Sequence, residues 1–315
     1  MSTVIEARNL KKYFDTPGGK LHAVDDVSFK IEKGKTVGIV GESGCGKSTL
    51  GRTLIHLQES TAGQIFLDGQ DITHLNGREL RKAREKMQII FQDPYSSLNP
   101  RMTVEEIISE PLKLSGKFRK GEIAVQTEKL MSMVGVEERL WSSYPHELDG
   151  GRRQRVGIGR AIALNPEFIV CDEPVSALDV SIQAQVLNLL MDLQEQIGLT
   201  LMFITHDLSV VRHISNDICV MYLGQMVEKS ETEELFEKPL HPYTKALLSA
   251  IPSADLDHPS QRIILKGELT SPIEPKPGCR FYSRCPYACD KCRQPQALEE
   301  ISSGHHVACC RVREV

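Results

Sequence analysis

Thr36-Val37-Gly38-Ile39-Val40-Gly41-Glu42-Ser43-Gly44-Cys45-Gly46-Lys47-Ser48-Thr49 decides the fold. Thr36–Val40 reads as a short buried strand, the glycines as a loop, and a helix opens near Lys47. Gly41–Ser48 fits G-x-x-x-x-G-K-[ST] between strand and helix, the pattern of a phosphate cradle. Glycines let backbone N–H groups wrap a phosphate without Cβ clashes, and the helix N-terminus adds positive dipole. Lys47 then reaches the β- and γ-phosphates of a nucleotide, and the Ser48 hydroxyl ligates Mg²⁺. Ser43, Gly44, Cys45, Gly46 and Thr49 complete the candidate nucleotide-binding set. Cys45 reads as a small filler rather than a redox group. The bland alternative is an ordinary glycine turn before a helix.

Outward from this loop, apolar strands alternate with helices. Met87–Phe91, Phe168–Cys171 and Thr200–Thr205 read as strands. Thr103–Leu140, Gly151–Ala163 and Ser181–Ile197 read as helical. Residues 1–35 alternate apolar and polar positions, with turn signals at Pro17-Gly18-Gly19 and Lys33-Gly34, and read as short antiparallel strands. The expectation is an α/β fold with a mostly parallel sheet. Ligands of such sheets bind beyond the carboxyl ends of the strands. The polar residues closing the apolar runs fall at that edge: Gln92, Asp172-Glu173 and His206-Asp207. Asp172 suits the Mg²⁺ water shell, and Glu173 suits orienting or deprotonating an attacking water. Gln92 suits a metal or water contact, and His206 the γ-phosphate. Singly, Gln92 is also a plausible turn residue and His206 a satisfied histidine at a strand end. Together, beside the loop, they point to nucleotide hydrolysis.

The 315 residues carry 38 basic and 42 acidic side chains, a formal charge of 38 − 42 = −4. That excludes a broad nucleic-acid-binding field. The N-terminus carries no secretion-signal pattern, and no apolar run reaches bilayer length. Of nine cysteines, six fall between 279 and 310. Without a secretion signal, such a cluster reads as metal binding before disulfides. Cys279, Cys285, Cys292 and Cys309 are spaced C-x5-C-x6-C-x16-C, which is not the C-x2-C pairing of common zinc modules, but four thiolates can still close a zinc site or hold an iron–sulfur cluster, with free thiols as the third reading. Cys289 and Cys310 are extra to that set. Pro252, Pro259, Pro272, Pro275 and Pro277 mark a boundary, giving residues 1–252 as the main domain and 253–315 as an appended Cys-rich module.

These residues resemble the ATP-binding subunits of ABC transporters. Gly41–Ser48 looks like Walker A, Phe168–Asp172 like Walker B, Gln92 like the Q-loop and Ser176–Asp179 like the D-loop. Glu173 matches the family's catalytic glutamate and His206 its switch histidine. Phe14 matches the aromatic that stacks on adenine, with Tyr13 as the fallback. Phe91–Pro100, His241–Leu247 and the cysteine-rich tail are similar to the oligopeptide/dipeptide importer group, its dipeptide F-type subunit above all. The resemblance covers essentially the whole chain. It implies a P-loop (RecA-like) fold with an antiparallel β subdomain, a helical subdomain over about 96–158 and the Cys-rich module. It implies ATP and Mg²⁺ held by Ser48, Gln92 and Asp172, and a [4Fe–4S] cluster on Cys279, Cys285, Cys292 and Cys309, with Zn²⁺ as the alternative. The implied partners are a second ATPase subunit, two membrane permease subunits and an extracytoplasmic substrate-binding protein, but no nucleic acid. Residues 92–100 and the helices to about Leu140 would face the permeases, with the chain peripheral at the cytoplasmic face of the membrane. The same group also serves nickel and oligosaccharide importers.

One motif departs from the family. Its signature, Leu-Ser-Gly-Gly-Gln, stands here as Leu148-Asp149-Gly150-Gly151-Arg152. The motif's serine, with the glycines matching Gly150 and Gly151, faces the γ-phosphate of ATP on the partner subunit. A carboxylate there repels phosphate, which costs up to several kcal/mol in a closed interface. Arg152 or Arg153 would offset part of that. Asp149 is also a good N-cap, so the local fold loses nothing. The expectation is one weakened ATP site and a heterodimer, since two copies would make two weakened sites. An ATP-binding clamp whose chemistry is left to the partner is the alternative.

Overall fold

The computed structural model describes residues 2–251, 262–265, 267 and 271–314. Pro252, Pro259 and the expected boundary at 252/253 lie outside the described residues. In chain order the elements are β1 (Thr3–Thr16), β2 (Gly19–Glu32), β3 (Thr36–Val40), α1 (Lys47–Leu54), β4 (Ala62–Leu67), β5 (Gln70–Asp71), α2 (Gly77–Lys86) and β6 (Met87–Ile90). Then follow α3 (Pro94–Ser97), α4 (Val104–Ser115), α5 (Lys120–Met133), α6 (Gly150–Ile162), β7 (Phe168–Asp172), α7 (Val180–Ile197) and β8 (Thr200–Ile204). The chain continues through α8 (Leu208–Ile214), β9 (Asp217–Tyr222), β10 (Gln225–Glu231), α9 (Thr232–Glu237), α10 (Pro242–Ser249), β11 (Glu299–Ser302) and β12 (His305–Val307).

The chain divides into two units, each discontinuous in sequence: residues 1–4, 32–35 and 74–202, and residues 5–31, 36–73 and 203–315. In the second, β2, β1, β4 and β5 form a four-stranded sheet in that order, with β1–β4 and β4–β5 antiparallel. The two 14-residue strands β1 and β2 are longer than the short strands expected there. Beside this lies the run β11-β12-β10-β9-β3, parallel at β3–β9 and antiparallel at β9–β10, β10–β12 and β11–β12. Every residue of β3 is buried, as the apolar run predicts. Gly38 of β3 has to be glycine: a Cβ there would sit 2.3 Å from Val211 Cγ1 of α8.

Buried polar groups tie the tail into this unit. Glu228 on β10 is fully buried, and its carboxylate accepts the backbone N–H groups of Leu240 and His241 at 2.7 and 3.0 Å. His305 of β12 completes the set, with Nε2 2.8 Å from Glu228 Oε1. His241 Nδ1 accepts the Tyr243 N–H and caps α10. Burial depresses His241 to a pKa of about 4, keeping the ring neutral for that acceptor role.

In the first unit, β6 and β7 pair in parallel with Met87 opposite Phe168. The stretch read as helical over Thr103–Leu140 holds two helices, α4 and α5, parted after the left-handed C-cap Gly116. A capping box opens α4: Thr103 Oγ1 accepts the Glu106 N–H and Glu106 Oε2 accepts the Thr103 N–H. Against α4 and the end of α5 packs α6, where a Cβ at Gly159 would meet Ile108 at 3.1 Å and Val134 at 3.3 Å. Among the described residues no helix is long and apolar enough to cross a membrane.

Candidate nucleotide site

The sequence-predicted residues divide between the units. Phe14, Tyr13, Gly41–Thr49 and His206 belong to one; Gln92, Asp149–Gly151, Asp172, Glu173 and Asp179 belong to the other.

The loop after β3 is shaped by close backbone approaches. At Gly41, φ is +148° and a Cβ would lie 2.2 Å from the Met221 carbonyl oxygen. At Gly46, the N-cap of α1, φ is +103° and a Cβ would lie 2.0 Å from the Ala23 carbonyl oxygen. Lys47 is buried, and its ammonium donates to the carbonyls of Gly41 at 2.7 Å and Glu42 at 3.1 Å, folded back over the loop. Cys45 is buried, and burial pushes its thiol pKa up, so it is a space-filler and not a nucleophile. Tyr13 is engaged: its ring stacks on His22 at 3.9 Å and its hydroxyl donates to Asp25. Phe14 carries the Lys12 ammonium 4.8 Å from its ring centroid. His206 is exposed at the end of β8, and Asp207 caps α8 through the Ser209 N–H at 2.8 Å.

In the other unit, Asp172 is 1% exposed at the end of β7. Glu173 follows with φ +48°, a left-handed conformation that costs a non-glycine residue roughly 1–2 kcal/mol. The Ser176 hydroxyl and N–H hold the Glu173 carbonyl at 3.1 and 3.3 Å, and Gln92 Nε2 donates to Glu173 Oε2 at 2.9 Å. Two predicted residues 81 positions apart are thus brought into contact. Asp179 occupies the N-cap position of α7, and its side chain makes no capping hydrogen bond.

Asp149 caps α6, its Oδ1 accepting the Arg152 N–H at 2.8 Å. Arg152 also supplies the offsetting charge: Nη1 donates to Asp149 Oδ2 at 3.1 Å, and Nη2 to Glu137 Oε1 at 2.9 Å. Arg153 turns away, donating to the Pro145 carbonyl at 2.5 Å with its guanidinium 4.1 Å from the Tyr95 ring centroid. Gly150 and Gly151 lie close against Leu178 and Ile182, where Cβ atoms would approach to 2.9 and 2.5 Å.

In the tail, Cys279, Cys285, Cys292 and Cys309 line one cavity together with Cys310. Its volume is about 10 Å³, room for one water-sized sphere. The tightest sulfur group is a different one. Cys289, Cys292 and Cys310 lie within 4.8 Å of one another, with Cys289–Cys292 at 3.7 Å and Cys292–Cys310 at 3.5 Å. The readable signal was Cys289-Asp290-Lys291-Cys292, a C-x2-C pair of the kind zinc modules use.

The chain matches the ABC transporter family over residues 24–176 and the oligopeptide/dipeptide transporter C-terminal region over 227–292. The oligopeptide transport ATP-binding protein AppF of Bacillus subtilis is 51% identical, aligned over 98% of this chain and 97% of its own length. The dipeptide transport ATP-binding protein DppF of Haemophilus influenzae is 46% identical over 98% and 97%. Among solved structures, a post-hydrolysis dimer of the ATP-binding cassette MJ0796 with ADP and Pi superimposes with a TM-score of 0.66 at 30% identity, covering 72% of this chain and 98% of that one. The chain is an ABC-type ATPase, and it belongs to the ABC transporter ATP-binding proteins that carry the oligopeptide/dipeptide C-terminal region.

Proposed function

We propose that this chain binds and hydrolyses ATP to power import of di- or oligopeptides across the cytoplasmic membrane. The observation that carries the reading is the loop itself: left-handed glycines pressed between two backbone carbonyls, with Lys47 folded over them, at the start of a chain that follows AppF almost end to end. Phe14 stacks on the base, the loop amides and Lys47 grip the phosphates, and Gln92 and His206 contact the reacting end. Ser48, Gln92 and Asp172 suit Mg²⁺, which neutralises charge on the phosphates. The partners are two permease subunits, an extracytoplasmic substrate-binding protein and a second, different ATPase subunit, with this chain peripheral at the cytoplasmic face. Tyr95, Leu114 and Val125, at 60%, 66% and 63% exposure, are apolar surface available to the permeases.

Asp149 supports the heterodimer. It faces the partner's ATP, and Arg152 leaves only part of its repulsion in place. Asp149→Ser keeps a good N-cap while removing the carboxylate. ATPase of the complex reconstituted with the co-encoded ATPase and permeases is therefore expected to rise or stay unchanged. A large fall would show that the acid is required and reverse this reading.

For the tail we propose the [4Fe–4S] cluster on Cys279, Cys285, Cys292 and Cys309, whose all-thiol donor set suits it. Specific distances favour a second reading. A tetrahedral Zn²⁺ with bonds of about 2.3 Å sets its sulfurs about 3.8 Å apart, close to the 3.7 and 3.5 Å spacings in the Cys289–Cys292–Cys310 trio. Cys292 is common to both sets, so they exclude one another. Metal analysis and a visible spectrum of the anaerobically purified chain decide between them. The cluster predicts a brown protein with about four irons, lost in Cys279→Ser. Zinc predicts a colourless protein with its metal lost in Cys289→Ser and Cys310→Ser but kept in Cys279→Ser.

A further inference from the structure

Glu42 is an awkward residue for a loop that has to embrace a polyanion. The tail deals with it directly. Arg284 Nη1 donates to Glu42 Oε2 at 2.7 Å and Nη2 to Oε1 at 3.0 Å, a two-bond fork across 242 residues of sequence. The Arg284 side chain is 8% exposed and that of Glu42 25%, so the pair is partly shielded from water. Fork geometry and partial burial both strengthen such a pair. The Glu42 main chain is held as well, its N–H donating to the Tyr243 hydroxyl at 2.8 Å. Phe281 packs edge-on to Tyr222 at 5.2 Å and tilted on Tyr243 at 5.5 Å, fixing the turn that carries Arg284.

This turn runs from Cys279 to Cys285, and each cysteine has an arginine beside it that reaches the nucleotide loop's surroundings. Arg280 donates to the Leu223 carbonyl and to Asp25, whose carboxylate also receives the Tyr13 hydroxyl. Arg284 takes Glu42. All of these residues lie in one unit of the fold.

We propose that Arg284 is a positioning residue for the phosphate loop, and that the Cys279–Cys285 turn sets the loop's grip on nucleotide through it. Arg284 cancels the Glu42 charge and ties the carboxylate into the tail, leaving the loop amides to the phosphates. Rearranging the cysteines frees Glu42 to repel the triphosphate. The inference rests on the nucleotide reading of the loop.

The test uses the full chain, Mg-ATP titration by calorimetry and hydrogen exchange at the amides of residues 42–48. Arg284→Gln is expected to raise the Kd for ATP by roughly 10–100-fold, the range for a like charge left bare beside a bound anion. Exchange at 42–48 should rise with it. Adding Glu42→Gln should recover most of the affinity, because the repelling group is gone, whereas a merely misfolded tail would not be rescued. Cys285→Ser should shift affinity and exchange in the same direction, with little further effect in the Arg284→Gln background. Unchanged affinity and exchange in Arg284→Gln, or no rescue by Glu42→Gln, overturns the inference while leaving the nucleotide reading intact. A folded wild-type chain that takes up no ATP overturns the nucleotide reading, and the affinity claim with it.

Discussion

Glu173→Gln is expected to lower ATP turnover of the assembled transporter by roughly 10²–10⁴-fold, the usual contribution of a positioned general base, with Mg-ATP binding retained. The substitution keeps the side-chain volume and removes only the capacity to take a proton. The backbone argues that this position is held for a purpose. Glu173 sits left-handed at φ +48° directly after buried Asp172, and Ser176 fixes its carbonyl with two hydrogen bonds. Strain of that kind persists only where surrounding structure over-determines it. Gln92 donates to its carboxylate, so rearrangement of the Gln92 segment is felt at the base. Phosphate release and nucleotide binding, measured with this variant of the chain in the reconstituted complex, check the expectation. Turnover within twofold of wild type would remove Glu173 from the chemistry.

The phosphate loop and its flanking strand and helix were legible because their signals are local: a fully apolar β3, glycines where φ must be positive, and Lys47-Ser48 at the helix start. Gln92, Asp172, Glu173 and His206 were legible as polar residues ending apolar runs. The β9–β10 hairpin was not. Its two-residue turn is Leu223-Gly224, both at positive φ (+44° and +84°). Two-residue hairpin turns usually announce themselves with Asn-Gly or Asp-Gly, and leucine gives no such cue. The turn is kept by its surroundings: the Gly224 N–H donates to the Cys45 carbonyl at 2.8 Å and Arg280 donates to the Leu223 carbonyl. For Asp149, sequence supplied both the capping role and two candidate counter-charges. Only geometry chose Arg152, because the guanidinium that completes an N-cap three residues on is already at hand, while Arg153 points around the helix to Tyr95. The Arg284–Glu42 fork lay beyond any local pattern, since nothing in the spacing of two charges far apart in sequence distinguishes a pair from two solvated side chains.

The other large effect is expected at Gly46. Gly46→Ala would require a Cβ 2.0 Å from the Ala23 carbonyl oxygen at φ +103°, and neither side can yield cheaply. Ala23 belongs to β2, and Gly46 is the N-cap of α1. The loop has to move, and its amides with it, so affinity for Mg-ATP should fall by at least about a hundredfold, or roughly 3 kcal/mol. Gly44→Ala separates strain from collision. Gly44 is also left-handed, at φ +77°, but a Cβ there meets nothing within 4 Å. It pays only the conformational cost of about 1–2 kcal/mol, part of which falls on stability rather than binding. Calorimetry on the two variants, with circular dichroism to confirm folding, should therefore place Gly46→Ala well below Gly44→Ala in affinity. Equal affinities would mean that the Ala23 carbonyl does not shape the loop. The ordering follows from how the cradle is built: the β2 backbone at one end and Met221 of β9 at the other press on it so closely that only hydrogen fits.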